Sequence, residues 1–186
     1  MRILGVPGSL RDASLNRQLL ELAAEQMKGE AELVIFDEIE DLPLFNAELE
    51  TDPPDPSVAR WVQALQEADA VLIASPEYNG SITAALKNAL DWASRPNDDA
   101  PLDGHLVAVM GASPSSRGAA GGQQVTREVA ERIGAEVLDA ELLVGRAPKV
   151  IEDGDLVDHE LQGQLEALVG ALLKATAKRL GTDGPS

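Results

Sequence analysis

The sequence predicts an α/β fold with a doubly wound parallel sheet, and three observations carry that prediction. Short apolar runs alternate with helical patterns from one end of the chain to the other. The first four runs are almost continuously apolar, as strands are when helices cover both faces of their sheet. Length and composition agree: 186 residues, 44% hydrophobic and 25% charged, have the balance of a folded chain with one well-buried core, so a single domain over 1–186 is expected.

In chain order, residues 3–6 form the first strand and 15–28 the first helix, and the second strand follows at 33–36. The segment 42–56 is rich in proline, with three prolines among 53–56, and is expected to be a loop without regular structure. Asp55 before Pro56 has the form of an N-cap followed by proline at the first helical position, which starts a helix over 56–67. A strand at 70–74, a helix at 83–94, a strand at 106–110, a helix at 122–133 and a strand at 137–144 continue the alternation. In the last helix, 159–180, Leu161, Leu165, Leu168, Val169, Leu172 and Leu173 share one stripe, which closes one side of the sheet. The tail 181–186 is expected to fray.

Five strands with intervening helices fit the flavodoxin-like order 2-1-3-4-5 or a truncated Rossmann arrangement. Right-handed crossovers leave few other choices. In both, ligands sit beyond the carboxyl ends of the strands where strand order reverses, so the loops after strands 1, 3 and 4 matter most.

Composition excludes several chemistries. There are 15 Lys and Arg against 32 Asp and Glu, a formal net charge of −17, and no concentrated basic face that would hold nucleic acid. Without cysteine there is no disulfide, thiolate nucleophile or cysteine-ligated cluster, so redox chemistry needs a cofactor. His105 and His159 stand alone, with no grouping at metal-ligand spacing. The N-terminus lacks the pattern of a signal peptide, and no apolar run approaches the roughly 18 residues of a membrane span. The expected location is the cytoplasm.

The first loop, GSLRDASLN over 8–16, lacks the G-x-G-x-x-G pattern of a dinucleotide fold. Instead, Ser9, Arg11, Ser14 and Asn16 place hydroxyl, guanidinium and amide donors where a helix opens. A terminal phosphate is a compact dianion that several donors and a helix N-terminus can hold, so the loop suits a mononucleotide. The plainer alternative is that Ser14 is an ordinary N-cap and Arg11 a solvated charge.

After the third strand, SPEYNGS over 75–81 interrupts two regular elements. Pro76 ends the strand, Gly80 permits a tight turn, and Ser81 or Thr83 can cap the next helix. An ordinary connection would not need an exposed tyrosine. The third loop, GASPSSRGAAGGQ over 111–123, carries one arginine among small residues.

GSLR-x-x-S-x-N over 8–16, SPEYNGS over 75–81 and LKNALDW over 86–92 together resemble the NAD(P)H-dependent FMN reductase family, which is flavodoxin-like and includes quinone, azo-dye and chromate reductases. The resemblance implies a non-covalent FMN at the switch point. Its phosphate would be held by Ser9, Arg11, Ser14 and Asn16, and its isoalloxazine edge would run along Pro76, Glu77, Tyr78, Asn79 and Gly80. Amides and a helix N-terminus aimed at the ring would favour the charge that gathers on a reduced flavin. Ser113 and Gly118 are further candidate flavin contacts. Ser113 and Pro114 match the family, whereas Ser115 stands where the family commonly has glycine. Arg117 attracts an anionic nicotinamide cofactor or is simply solvated, and Glu77 is an acid near the substrate or a structural turn carboxylate. Trp92, Leu86 and Leu90 face the core or a subunit contact, and Lys87 pairs with Asp91.

The activity implied is hydride transfer from NADPH or NADH through FMN to a small-molecule acceptor: a quinone, azo compound, metal oxyanion or free flavin. The family resemblance also implies a homodimer or homotetramer. Two rival functions remain open at this point, an electron carrier that does not turn over nicotinamide and a flavin-free scaffold.

Overall fold

The computed structural model describes residues 1–152 and 154–181. Its elements run β1 (Arg2–Pro7), α1 (Leu15–Gln26), β2 (Glu32–Ile35), α2 (Pro56–Gln66), β3 (Ala70–Ala74), α3 (Ala84–Ala93), β4 (Leu106–Ala112), α4 (Ala120–Ile133), β5 (Glu136–Val144), β6 (Ile151–Glu152), β7 (Asp155–Leu156) and α5 (His159–Leu180). The first five strands are parallel in the order β2-β1-β3-β4-β5. This is the flavodoxin-like of the two expected topologies. β1 lies between β2 and β3, so the crevice at the switch point opens beyond the end of β1, beside β3.

The two-residue period of the strands sorts the core into two layers. Ile3, Leu72, Leu106, Met110 and Leu142 pack with Leu19 and Leu20 of α1, with Met27 just past its end and with Leu165, Leu168 and Leu172 of α5. Their strand neighbours Leu4, Val6, Val71, Ile73, Val107 and Val109 point the other way, toward Trp61 and Leu65 of α2, Leu86 and Leu90 of α3 and Ala130 of α4. Trp61 is 2% exposed and its indole N–H donates to the Ala89 carbonyl at 2.9 Å, so its apolar bulk is buried with its polar atom satisfied. Truncation to alanine at such a site costs about 3–5 kcal/mol.

Local signals act as expected at several helix ends. Asp55 accepts from the Ser57 hydroxyl at 2.6 Å and the Ser57 amide at 2.8 Å, with Pro56 first in α2. These two hydrogen bonds, the hydroxyl's first, hold the Asp55 carboxyl below its ordinary value. Leu86, Leu90 and Trp92 are buried in the core, and Lys87 meets Asp91 at 2.6 Å on the outer face of α3.

Four features depart from the expectations. The segment 42–56 contains a 3-10 turn at Ala47–Leu49, because the stretch between Pro43 and Pro53 is free of proline and Asn46 accepts from the Glu48 amide at 3.0 Å. A second 3-10 turn, Glu38–Asp41, precedes it. The hairpin β6–β7 is too short to announce itself by periodicity. At the C-terminus, Gly181 closes α5 in a left-handed conformation, φ 66°, with its N–H directed to α5 carbonyls. The expected fraying at 182–186 falls outside the described residues.

β5 lies outermost, and its pairing with β4 is irregular. Val107 and Val109, two apart, face Val137 and Glu141, four apart, so β5 carries two surplus residues. Arg127 of α4 meets the displaced carbonyls, donating to Leu138 at 2.5 Å and Ala140 at 2.7 Å, and also to Val109 of β4 at 3.1 Å.

Candidate functional site

The loop between β1 and α1 is fixed from both ends. Ser14, 4% exposed, has extended backbone and accepts from the Arg17 amide at 3.2 Å, the geometry of an N-cap. Asn16 reaches 96 residues along the sequence to Ala112, donating to its carbonyl at 3.0 Å and accepting from its amide at 2.8 Å. The expected role of Asn16 is therefore revised. Its side chain joins α1 to the end of β4, and only its second amide hydrogen remains to offer a ligand. Ser9 Oγ accepts from the Arg11 amide at 3.4 Å.

Arg11 is exposed and makes no ion pair among the described residues, whereas nearby Arg17 is held by Glu21 and Asp37. Ser9, Arg11, Ser14 and Asn16 line one cleft of about 50 Å³, with Pro76, Glu77, Tyr78, Ala112 and Ser113. A space of this size with an unpaired guanidinium, two hydroxyls and the opening turn of a 12-residue helix suits a phosphate group.

The loop after β3 forms the second wall. Tyr78 and Ser81 exchange backbone hydrogen bonds at 2.9 and 3.1 Å around Asn79 and Gly80, whose φ angles are 54° and 77°. Two positive φ values on Asn-Gly are the signature of a type I′ turn. The turn leaves Tyr78 51% exposed and puts Asn79 and Gly80 at its tip, beyond the lining of the phosphate-sized cleft. The amides of Glu77, Asn79 and Gly80 make no hydrogen bond to another described residue, so they remain available to a ligand edge.

Thr83, rather than Ser81, caps α3: its Oγ1 accepts from the Leu86 amide at 3.2 Å. The same hydroxyl donates to the Gly8 carbonyl at 2.6 Å, joining the first two loops directly. Sequence reasoning saw a cap at Thr83 but not this second bond, for which no local pattern exists.

The third loop presses on the second. Glu77 Oε2 accepts from the Gly121 amide at 2.8 Å, at the start of α4, and Oε1 faces Arg117 at 3.3 Å. Its carboxylate thus fastens two loops together, the structural one of its two expected roles, and the residue also lines the cleft. Arg117 is paired with Glu77, but its side chain is 76% exposed. A side chain at Gly122 would drive its Cβ into the Pro76 carbonyl, so glycine is what lets α4 approach the turn so closely.

Ser113, 8% exposed, lines the cleft. Gly118 does not; it is buried, and its φ of 57° brings it within 2.5 Å, measured from an added Cβ, of the Leu143 backbone on β5. Its glycine identity is explained by strand packing.

The residues that meet at the cleft are therefore Ser9, Arg11, Ser14, Asn16, Pro76, Glu77, Tyr78 and Ser113, drawn from three loops at the carboxyl ends of β1, β3 and β4. The family described as NADPH-dependent FMN reductase matches residues 1–149. An NAD(P)H-dependent FMN reductase of Pseudomonas aeruginosa is 34% identical over 174 residues, covering 90% of this chain and 93% of the relative. A quinone reductase of Pseudomonas putida is 33% identical over 165 residues, covering 88% of each. Among solved structures, the flavoenzyme NAD(P)H:(acceptor) oxidoreductase FerB of Paracoccus denitrificans superposes with a TM-score of 0.87 at 31% identity, over 95% of this chain and 97% of that one. With a match spanning all three loops of the cleft, the chain belongs to the NADPH-dependent FMN reductase family.

Proposed function

We propose that this chain is an FMN-dependent NAD(P)H oxidoreductase, a single flavodoxin-like domain that passes reducing equivalents from NADPH or NADH to a small-molecule acceptor. The observation that carries the proposal is the cleft itself, where unpaired Arg11, Ser9 and Ser14 face the opening of α1 beside an Asn-Gly turn with free amides. When bound there, FMN supplies the hydride-accepting and electron-donating chemistry that the chain, with no cysteine and no acid–base pair at the cleft, does not supply itself.

Each protein group then has a task. Arg11 neutralises a phosphate, with the hydroxyls of Ser9 and Ser14 and the remaining amide hydrogen of Asn16 as further donors. The amides of Glu77, Asn79 and Gly80 offer fixed N–H groups along a ring edge, and because the turn is closed by two hydrogen bonds these donors need no reorganisation. Tyr78, half exposed at the rim, shields one side of the site while the other stays open to a planar partner.

Quinones are the first acceptors to test, followed by azo compounds, metal oxyanions and free flavin. The rival reading, an electron carrier without nicotinamide turnover, makes the opposite prediction under one experiment. Purified protein loaded with FMN is mixed anaerobically with NADPH or NADH, and bleaching of the flavin absorbance within seconds supports the enzyme. A flavin that stays oxidised for hours with both would rule it out.

The proposal includes a cytoplasmic location and a homodimer or homotetramer. No helix among the described residues is long and apolar enough to cross a membrane. α3 turns Leu86, Leu90 and Trp92 into its own chain, so a subunit contact on this helix would use outward residues such as Lys87 and Asp91. Sedimentation velocity decides the oligomeric state, and a monomer at assay concentration would refute it.

A further inference from the structure

Seven of the fifteen Lys and Arg side chains have a carboxylate of their own. Arg2, Arg17, Lys28, Arg60, Lys87, Arg95 and Arg179 each pair with a nearby Asp or Glu. Two arginines at the carboxyl end of the sheet stand beside the cleft loops. Arg146, just past β5, is exposed and has no carboxylate partner among the described residues. Arg117 has only its 3.3 Å contact with Glu77, and most of its side chain is in solvent.

These two arginines are anchored on one residue. Ser115 accepts from the Arg146 amide through its carbonyl at 2.8 Å, and from the Arg117 amide through its Oγ at 3.3 Å. Ser115 is itself joined to Ser113 of the cleft wall: Ser113 Oγ accepts from the Ser115 amide at 3.1 Å, and the two hydroxyls are 3.1 Å apart. The Ala147 amide adds a bond to the Ser113 carbonyl at 3.0 Å. Arg146 is held in the left-handed region, φ 52°, a conformation non-glycine residues rarely keep unless the surroundings impose it. Ser115 is also where glycine was expected from the family pattern, and glycine has no Oγ to receive Arg117.

The geometry points to the Ser115-centred pair, Arg117 and Arg146, as the docking site for the phosphates of the nicotinamide dinucleotide, beside a flavin whose own phosphate lies on Arg11. A molecule with a net charge of −17 repels a polyanionic co-substrate at a distance. Two arginines whose backbones are tied through Ser115 to the cleft wall reverse that field locally, and planar guanidinium groups match phosphate oxygens. Glu77 is the nearby carboxylate opposing such an anion. Its Oε2 is held by the Gly121 amide independently of Arg117, whose side chain is 76% exposed while that of Glu77 is 11% exposed. The inference rests on the flavoenzyme reading proposed above.

The test uses Arg117→Gln, Arg146→Gln and the double variant, each loaded with FMN, with Arg146→Lys as the charge-keeping control. KM for NADPH is expected to rise about threefold to tenfold per arginine and roughly multiplicatively in the double variant. The kcat at saturating NADPH and the KM for an uncharged benzoquinone should hold. Direct titration with NADP⁺ by calorimetry should show the same loss of affinity, independently of turnover, and raising ionic strength should weaken wild type more than the double variant. Arg146→Lys should recover most of the affinity.

Unchanged NADP⁺ affinity in a folded, FMN-loaded double variant would overturn the docking assignment and leave the flavoenzyme intact. So would a rise in KM confined to an anionic azo dye, which would give the site to the acceptor. Wild-type protein that binds no FMN would overturn the flavoenzyme reading, and this inference with it.

Discussion

Replacing Thr83 by valine keeps the shape of the side chain and removes one hydroxyl that serves two loops. Thr83 is 6% exposed; its Oγ1 caps α3 through the Leu86 amide and donates to the Gly8 carbonyl, itself buried. Loss of a cap costs about 1 kcal/mol, and a buried carbonyl left without its donor costs about 1–3 kcal/mol, so the change should destabilise the fold by about 2–4 kcal/mol. Urea denaturation measures it as a fall in midpoint at constant slope. Thr83→Ser keeps both bonds and should stay within about 1 kcal/mol of wild type. Thr83→Asp keeps an acceptor for Leu86 but cannot donate to Gly8 when ionised, so it should remain markedly destabilised despite a good cap. Because Gly8 adjoins Ser9, FMN affinity should fall in the order wild type, Ser, then Asp and Val. Thr83→Val within about 0.5 kcal/mol of wild type, or Asp matching Ser, would refute the link between the two loops.

Other consequences are open to measurement. Arg11→Ala should weaken FMN binding by about 1.5–3 kcal/mol, the worth of a hydrogen bond to a charged group, read by quenching of flavin fluorescence; unchanged affinity would place the phosphate elsewhere. Gly122→Ala should destabilise by about 1–3 kcal/mol, since its Cβ meets the rigid Pro76 carbonyl rather than a movable side chain, and a thermal melt equal to wild type would contradict that packing. Burial, the largest cause, depresses the His105 imidazole below its ordinary value. A depressed folded-state value means that the unfolded chain takes up the proton first. Stability from neutral His105 is therefore present above about pH 6.5 and lost as pH falls through the lower folded value. Wild type should lose more urea resistance between about pH 7.5 and 5.5 than His105→Gln does, and equal losses would refute the assignment.

What could be read from the sequence was what neighbouring residues decide. Apolar runs such as 70–74 and 106–110 located the central strands, Asp55-Pro56 located a helix start, and Asn79-Gly80 located a tight turn. That Ser9, Arg11 and Ser14 share one cleft was legible, because hydroxyl and guanidinium groups stand close together in the sequence where a helix begins. Hidden from the sequence were contacts between residues far apart along it. Asn16 looked like a ligand donor until Ala112 took up most of its amide, and Gly118 looked like a flavin contact until β5 was found against it. Thr83 and Ser115 were visible as a cap and as a departure from the family pattern, but their partners Gly8 and Arg146 lie 75 and 31 residues away. The brief turn at Ala47–Leu49 escaped because the surrounding prolines dominate the composition of that stretch.

The Arg127 contact with β5 bears on how the sheet stops. An outermost strand with open hydrogen-bonding groups is a template on which another molecule can add its own strand, the first step toward aggregation. In β5 the surplus residues interrupt that border, and the Arg127 guanidinium, bonded to Val109 of β4 as well as to Leu138 and Ala140, holds the bulge, so an incoming strand finds no straight register. By the same physical argument, a residue that lines no part of the cleft makes this border a poorer template for strand addition.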